Sequence, residues 1–143
     1  MIISQKGIDL IKKFEGFSDK EYICPAGKPT IGYGHVVLAD EYFQEPMTRR
    51  HAEILLKKDL EPRQKSLNSL LKVNINQNQF DALISLIYNI GVDNFRKSTL
   101  LKFINERLFD KVPDQFRRWR FSNGKVLRGL VSRREEEIKL WLA

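Results

Sequence analysis

Residues 14–35 read Phe14-Glu15-Gly16-Phe17-Ser18-Asp19-Lys20-Glu21-Tyr22-Ile23-Cys24-Pro25-Ala26-Gly27-Lys28-Pro29-Thr30-Ile31-Gly32-Tyr33-Gly34-His35. A helical period stops inside this stretch and an alternating one begins. Upstream, Ser4 is suited to cap a helix that runs to Glu15 and ends at Gly16, a residue fit for the left-handed position after a helix. At 100° per residue, Leu10, Ile3, Phe14, Gly7, Ile11 and Ile8 fall on one arc, and Lys12, Gln5, Asp9, Lys13 and Lys6 on the other. Glu15 falls inside the apolar arc. From Phe17 to Val37 aromatic and β-branched residues alternate with Gly and Pro, which predicts a small antiparallel sheet with tight turns.

Working outward, Thr48 caps a predicted helix carrying Ala52, Leu55, Leu56 and Leu60, and Pro62 either kinks it or starts the next segment, which ends near Leu71. Asn76 and Gln79 form a capping-box pattern ahead of Phe80, Ala82, Leu83, Ile84, Leu86, Ile87 and Ile90. These cover most of a helix circumference before Gly91, so this helix is the predicted buried centre. Shorter helices follow near 98–107 and 111–119. Ser132 with Glu135 announces a last one, continuing to Leu142. The architecture expected is α+β and mostly helical, in one domain over 1–143. A small β-hairpin lobe at about 15–60 is joined by a helix to a larger helical lobe at about 72–143, which takes in the N-terminal helix.

The bulk composition suits one globular domain: 143 residues, 42% hydrophobic and 30% charged. Lys and Arg outnumber Asp and Glu by 25 to 18, a net +7 that points to a polyanionic partner without choosing one. Cys24 is the single cysteine, so no internal disulfide forms and the fold rests on its core. No signal peptide is evident, and no apolar run approaches the roughly 18 to 20 residues that span a bilayer. Two histidines and one cysteine at unrelated spacings do not make a metal site, and Gly32-Tyr33-Gly34 is not a phosphate loop, so neither metal nor cofactor is expected.

A carboxylate at a helix end, on the apolar face, is disfavoured as an anion by burial and by the negative end of the helix dipole. Glu15 is therefore suited to carry a proton as a general acid, although a boundary glutamate paired with a basic residue is the commoner arrangement. Cys24 and Thr30 lie in the segment that folds back toward that helix end. Taken singly, each reads as an ordinary packing residue.

Taken together, Phe14-Glu15-Gly16 and Tyr22-x-Cys24-x-Ala26-Gly27-x-x-Thr30-Ile31-Gly32-Tyr33-Gly34-His35 resemble the catalytic signature of the phage-type lysozymes, the endolysin family of murein glycoside hydrolases. Gln77 to Leu83, Tyr88-Asn89-Ile90-Gly91, Phe95 with Ser98 to Leu101, and Gly129-Leu130-Val131-x-Arg133-Arg134-x-Glu136 extend the likeness over the chain. The resemblance implies a lysozyme-like fold and hydrolysis of the β-1,4 bond between N-acetylmuramic acid and N-acetylglucosamine in peptidoglycan. By the same likeness Glu15 is the general acid, and Cys24 and Thr30 activate or position the attacking water. Most members carry aspartate at the Cys24 position. A free thiol titrates near 8.5, so Cys24 either has its pKa depressed or serves mainly to hold water.

The resemblance also pairs His35 with Asp59. Arg133 is a candidate counter-ion to Glu15, and Tyr88, Asn89, Trp119 and Val36 are candidate substrate-binding residues, since aromatic faces suit carbohydrate and amides can bond acetamido groups; Trp119 taken alone reads rather as core packing. It implies a monomer that needs no cofactor, is made in the host cytoplasm, and reaches the wall in the periplasm through a separate holin. Two rivals stand beside this reading. One is a cysteine hydrolase using Cys24 with His35 or His51, for which no local signature is present. The other is a binding module drawing on Arg117, Arg118, Arg120, Lys125, Arg128, Arg133 and Arg134. Glu135, Glu136 and Glu137 offset these charges, and the sequence has no nucleic-acid-binding motif, so no nucleic acid is expected as partner. The terminal helix, with Ile138, Trp141 and Leu142, has the amphipathic character for transient contact with anionic membrane or lipopolysaccharide.

Overall fold

In the computed structural model, which describes residues 1–143, helix α1 spans Gln5–Glu15 and ends where Gly16 takes φ 72°. Ser4 stands at its head with its carbonyl accepting the Ile8 N–H at 3.1 Å. Its hydroxyl, expected to cap the helix, instead bonds the Asp81 carboxylate, which also takes the Ser4 N–H at 3.0 Å. The predicted sheet follows as β1 (Ser18–Ile23), β2 (Pro29–Gly32) and β3 (His35–Val36), antiparallel in the order β1-β2-β3. Tyr22 stands opposite Thr30, and Thr30 opposite Val36. Helix α2 runs unbroken from Arg49 to Leu70, through Pro62. The Thr48 hydroxyl caps it by accepting the His51 N–H at 3.0 Å.

Helix α3 (Gln77–Ile90) has both halves of the capping box: Asn76 accepts from the Gln79 amide at 2.8 Å, and Gln79 accepts from the Asn76 amide at 2.9 Å. Its residues Phe80 to Ile87 are all buried. Helix α4 (Val92–Arg96) was not anticipated, and α5 (Thr99–Asn105) begins from a Ser98 cap. The helix expected over 111–119 is a 3-10 turn at Phe109–Lys111 leading into α6 (Val112–Arg117). A second hairpin, β4 (Phe121–Ser122) and β5 (Lys125–Val126), fills the interval before α7.

Helix α7 spans Arg128–Leu142 with Leu127 at the cap position, five residues before the Ser132 cap that the Ser132–Glu135 pattern suggested. The ladder bond from the Leu127 amide to the Arg120 carbonyl, 3.1 Å, closes the hairpin, and the chain enters the helix at the next residue. Ser132 is therefore inside the helix and solvent-exposed rather than at its cap.

By its contacts the chain divides into two units, residues 11–62 and residues 1–10 with 63–143. In the first, Ile11, Ile31, Tyr33, Met47, Ala52, Leu56 and Leu60 are buried. Gly32, at φ 67°, is pressed against α2: a Cβ there would lie 3.2 Å from that of Ala52. In the second, α3 is buried among apolar residues of the later helices, and Trp141 packs its ring against Phe109 and Phe116, each centroid 6.1 Å away. Trp141 and Ile138 are 3% and 4% exposed, so the apolar face assigned to membrane contact belongs to the core, and only Leu142 remains outside.

Arg133, Arg134 and Glu137 are also buried, so the two arginines are not part of the basic surface that the rival binding module would draw on. Glu137 lies 2.7 Å from Arg134 Nε and 3.3 Å from Arg133 Nε, and accepts the Ser85 hydroxyl at 2.6 Å. Arg133 further donates to the Ser85 carbonyl, and Arg134 to that of Trp119, both at 3.0 Å. Burial pushes the Glu137 carboxyl up against the opposing pull of the two guanidiniums.

Candidate active site

The end of α1 and the first turn of β1 enclose a cavity of about 300 Å³, lined by Glu15, Gly16, Phe17, Ser18 and Tyr22. Glu15 is the last residue of the helix, where the final carbonyls are left without helical donors. Its side chain is half-buried, although the helical arc it falls in is apolar. The left-handed Gly16, whose amide returns to the Lys12 carbonyl at 3.0 Å, turns the chain directly from the acid into the sheet.

The sheet register sets the rest of the site. Because residues opposite one another in an antiparallel pair share a face, Tyr22, Thr30 and Val36 form one row across β1, β2 and β3. Cys24 follows Tyr22 by two residues and continues the ladder, its amide donating to the Lys28 carbonyl at 2.9 Å, so its thiol is on that same face. Hydrogen bonds from the Lys28 backbone, and then from the Thr30 hydroxyl, hold the Cys24 thiol below its ordinary range. Thr30 is 3% exposed, and in the neutral site its hydroxyl donates to the Lys28 carbonyl at 3.0 Å. Burial raises the Tyr22 phenol, and the negative charges of Glu15 and Cys24 raise it further. Tyr22 therefore stands within electrostatic reach of both.

His35 pairs with Ile31 and so points to the opposite face of the sheet from Thr30. Its Nδ1 bonds Asp59 at 2.7 Å, as expected, and its Nε2 bonds Glu41 at 2.9 Å. Burial pulls the imidazole down, but the two carboxylates outweigh it and hold the ring above its usual value. Glu41 is fixed in turn by the Leu38 amide, which with His35 holds its carboxyl below the usual range. With both nitrogens committed to carboxylates, His35 is not available to a Cys24 nucleophile. His51 is exposed at the start of α2, edge-on to Phe43 with centroids 6.0 Å apart.

Of the other expected residues, Tyr88 is half-buried near the end of α3 with the Arg63 guanidinium 5.0 Å above its ring, and Asn89 is exposed beside it. Trp119 lines a separate cavity of about 290 Å³ with Lys97, Ser98, Thr99, Gln115 and Arg118, so it is not simply core. Arg133 is held by Glu137 and Ser85. Three contributors escaped the sequence reading. Tyr22 was signalled by its two-residue offset from Cys24, whereas nothing local in the sequence marks Glu41 or the Lys28 backbone.

The family model of phage lysozyme matches residues 12–137. An endolysin of Bacillus phage B103 is 44% identical over 99% of this chain, and the chain spans about half the length of that relative, 54%. An endolysin of Salmonella phage P22 is 38% identical over 100% of this chain and 99% of its own length. Among solved structures, the muramidase domain of SpmX from Asticaccaulis excentricus superposes with a TM-score of 0.89 at 36% identity, covering 99% of this chain and 97% of that one.

Proposed function

Because the chain belongs to the phage lysozyme family, we propose that it is a muramidase of phage lysis, cleaving the β-1,4 bond between N-acetylmuramic acid and N-acetylglucosamine of peptidoglycan. Glu15 delivers its proton to the glycosidic oxygen as the bond to the anomeric carbon breaks. Water adds to that carbon and gives up its proton to the Cys24 thiolate, which becomes the neutral thiol. The Thr30 hydroxyl donates to the sulfur while it is a thiolate and returns to the Lys28 carbonyl once the sulfur is protonated. Tyr88, Asn89, Trp119 and Val36 are assigned to substrate binding, the aromatic faces to sugar rings and the amide to acetamido groups.

The observation that carries this reading is the thiol itself. A cysteine in place of a carboxylate is a poor base unless its anion is stabilised, and Cys24 has two donors within its own hairpin, the Lys28 backbone and the Thr30 hydroxyl. Mass spectrometry of digested murein tests it. A reducing N-acetylmuramic acid end is expected; an anhydro end indicates lytic transglycosylation, and cleavage of peptides alone ends the glycosidase assignment. Loss of lysis in Glu15→Gln separates it from cysteine-based hydrolysis, which that variant leaves intact.

No helix is long and apolar enough to cross a membrane. The proposed route is synthesis in the host cytoplasm and passage to the periplasmic wall through a separate holin. Lysis of induced cells only when a holin is co-expressed is the outcome that supports it.

A further inference from the structure

The β4–β5 hairpin pairs with no other strand, and every residue from 121 to 129 is exposed. Asn123 and Gly124, at φ 51° and 77°, make the tight turn whose twist suits a two-residue connection. Phe121 faces Val126 across the ladder, each 52% exposed, and Leu127 follows at 45%. Single exposed apolar side chains are ordinary, but Phe121 and Val126 share one face of the hairpin and present a joint apolar surface to water, with Leu127 exposed on the other face.

The segment that carries this pair is basic: residues 115–134 hold seven basic side chains and no acidic one. Arg117 is paired with Asp114 and Glu135, Arg133 and Arg134 with Glu137, and Arg120 acts on Glu135. Lys125 and Arg128 lie on the exposed hairpin and its exit into α7. The Arg120 guanidinium leans toward the Phe121 ring, 5.9 Å from its centroid, and its Nε is buried without a hydrogen-bond partner.

We propose that the hairpin from Phe121 to Arg128 docks on an anionic phospholipid bilayer, with Phe121 and Val126 at the headgroup–acyl boundary and Lys125 and Arg128 on lipid phosphates. A soluble polyanion satisfies the cations alone and leaves the apolar side chains in water. A bilayer of negative charge accommodates both, which is why the occupant assigned is lipid. The docking element is this hairpin and not α7, whose apolar face is buried.

The test is co-sedimentation of the full chain with vesicles of phosphatidylcholine mixed with phosphatidylglycerol, against phosphatidylcholine alone and against purified peptidoglycan sacculi. The chain should partition to the anionic vesicles, less so as salt is raised. Each cation near an anionic surface strengthens binding about five-fold, so Lys125→Ala/Arg128→Ala should weaken it about 25-fold. Phe121→Ser/Val126→Ser, at positions already in solvent, should weaken it about ten-fold while leaving the thermal melt unchanged. Equal binding to zwitterionic vesicles overturns the proposal, as does wild-type sedimentation of either double variant. Binding to sacculi alone, lost in the same variants, reassigns the hairpin to the wall polymer and overturns the lipid assignment. None of these readings requires the muramidase activity, so the two proposals fail separately.

Discussion

Replacing Glu137 should be among the most damaging single changes in the chain, although the residue lies in a run of three glutamates that looks like surface. Its carboxylate is 2.7 Å from Arg134 and 3.3 Å from Arg133, with all three side chains at least 96% buried by their exposures of 0%, 1% and 4%. Glu137→Ala removes the carboxylate that the two buried guanidiniums share and strips the Ser85 hydroxyl of its acceptor. Removing one partner of such a buried cluster costs about 3–5 kcal/mol. That is a large fraction of the roughly 5–15 kcal/mol that holds a domain folded, and lowers the melting temperature by about 10–15 °C at this chain length. An exposed pair gives the contrast: Asp93, bridged to Arg96 with 86% of its side chain in solvent, should be worth well under about 1 kcal/mol. Urea titration followed by circular dichroism reads both. Glu137→Gln isolates charge from shape, keeping one oxygen acceptor while losing the anion. If Glu137→Gln unfolds at the wild-type midpoint, or Glu137→Ala costs less than about 1 kcal/mol, the carboxylate is not what neutralises the arginines.

The remaining predictions concern three other groups. His35 is held charged by Asp59 and Glu41, so its contribution to stability is complete below pH about 6.5 and is lost as pH rises through the elevated folded value. Asp59→Asn should therefore destabilise the protein most at mildly acidic pH, and a difference from wild type that does not shrink on raising the pH counts against the pairing. Thr30→Val removes a donor from Cys24 and should move its thiol upward, seen as a shift of the iodoacetamide-alkylation profile to higher pH; full lysis by Cys24→Ser would exclude any thiolate role. Gly7→Ala puts a Cβ 2.8 Å from that of Asp81 and 2.6 Å from Ile3 Cγ1, so the start of α1 must shift from α3 at a cost of about 1–3 kcal/mol, measured by chemical denaturation.

The parts of the fold that were legible in the sequence are those written in local chemistry. The Asn76–Gln79 box, the Thr48 cap, the Gly16 stop and the alternation over β1 and β2 each depend on residues within a few positions of one another, and each is present. Ser132 with Glu135 has the same local signature and failed, because tertiary pairing of Arg120 with Leu127 set the chain on its helical path five residues sooner. The two short strands of that hairpin were invisible because two-residue strands have no period to detect. The charged run 133–137 misled for another reason: composition shows charge but not which face of α7 is inward. The i, i+3 and i, i+4 spacings of Glu137 to Arg134 and Arg133 were the available signal. At the site, pattern supplied Glu15, Cys24 and Thr30, while Glu41 reaches His35 from a turn and left no trace in sequence.

The base of the proposed reaction is tuned within one short stretch of chain. Cys24 takes its setting from the seven-residue hairpin that contains it, through the Lys28 backbone and the Thr30 hydroxyl. A hydroxyl has one proton, and in the neutral site that proton goes to the Lys28 carbonyl. Formation of the thiolate must rotate it toward sulfur, leaving the carbonyl to its remaining bond from the Cys24 amide. The thiolate is thus stabilised, before it takes the proton from water, by a donor that is already in place, buried and needing only rotation. It follows that serine at position 30 preserves the switch and valine abolishes it, although valine is the closer match in shape; a site that merely needed a β-branched packing residue there would rank the two the other way.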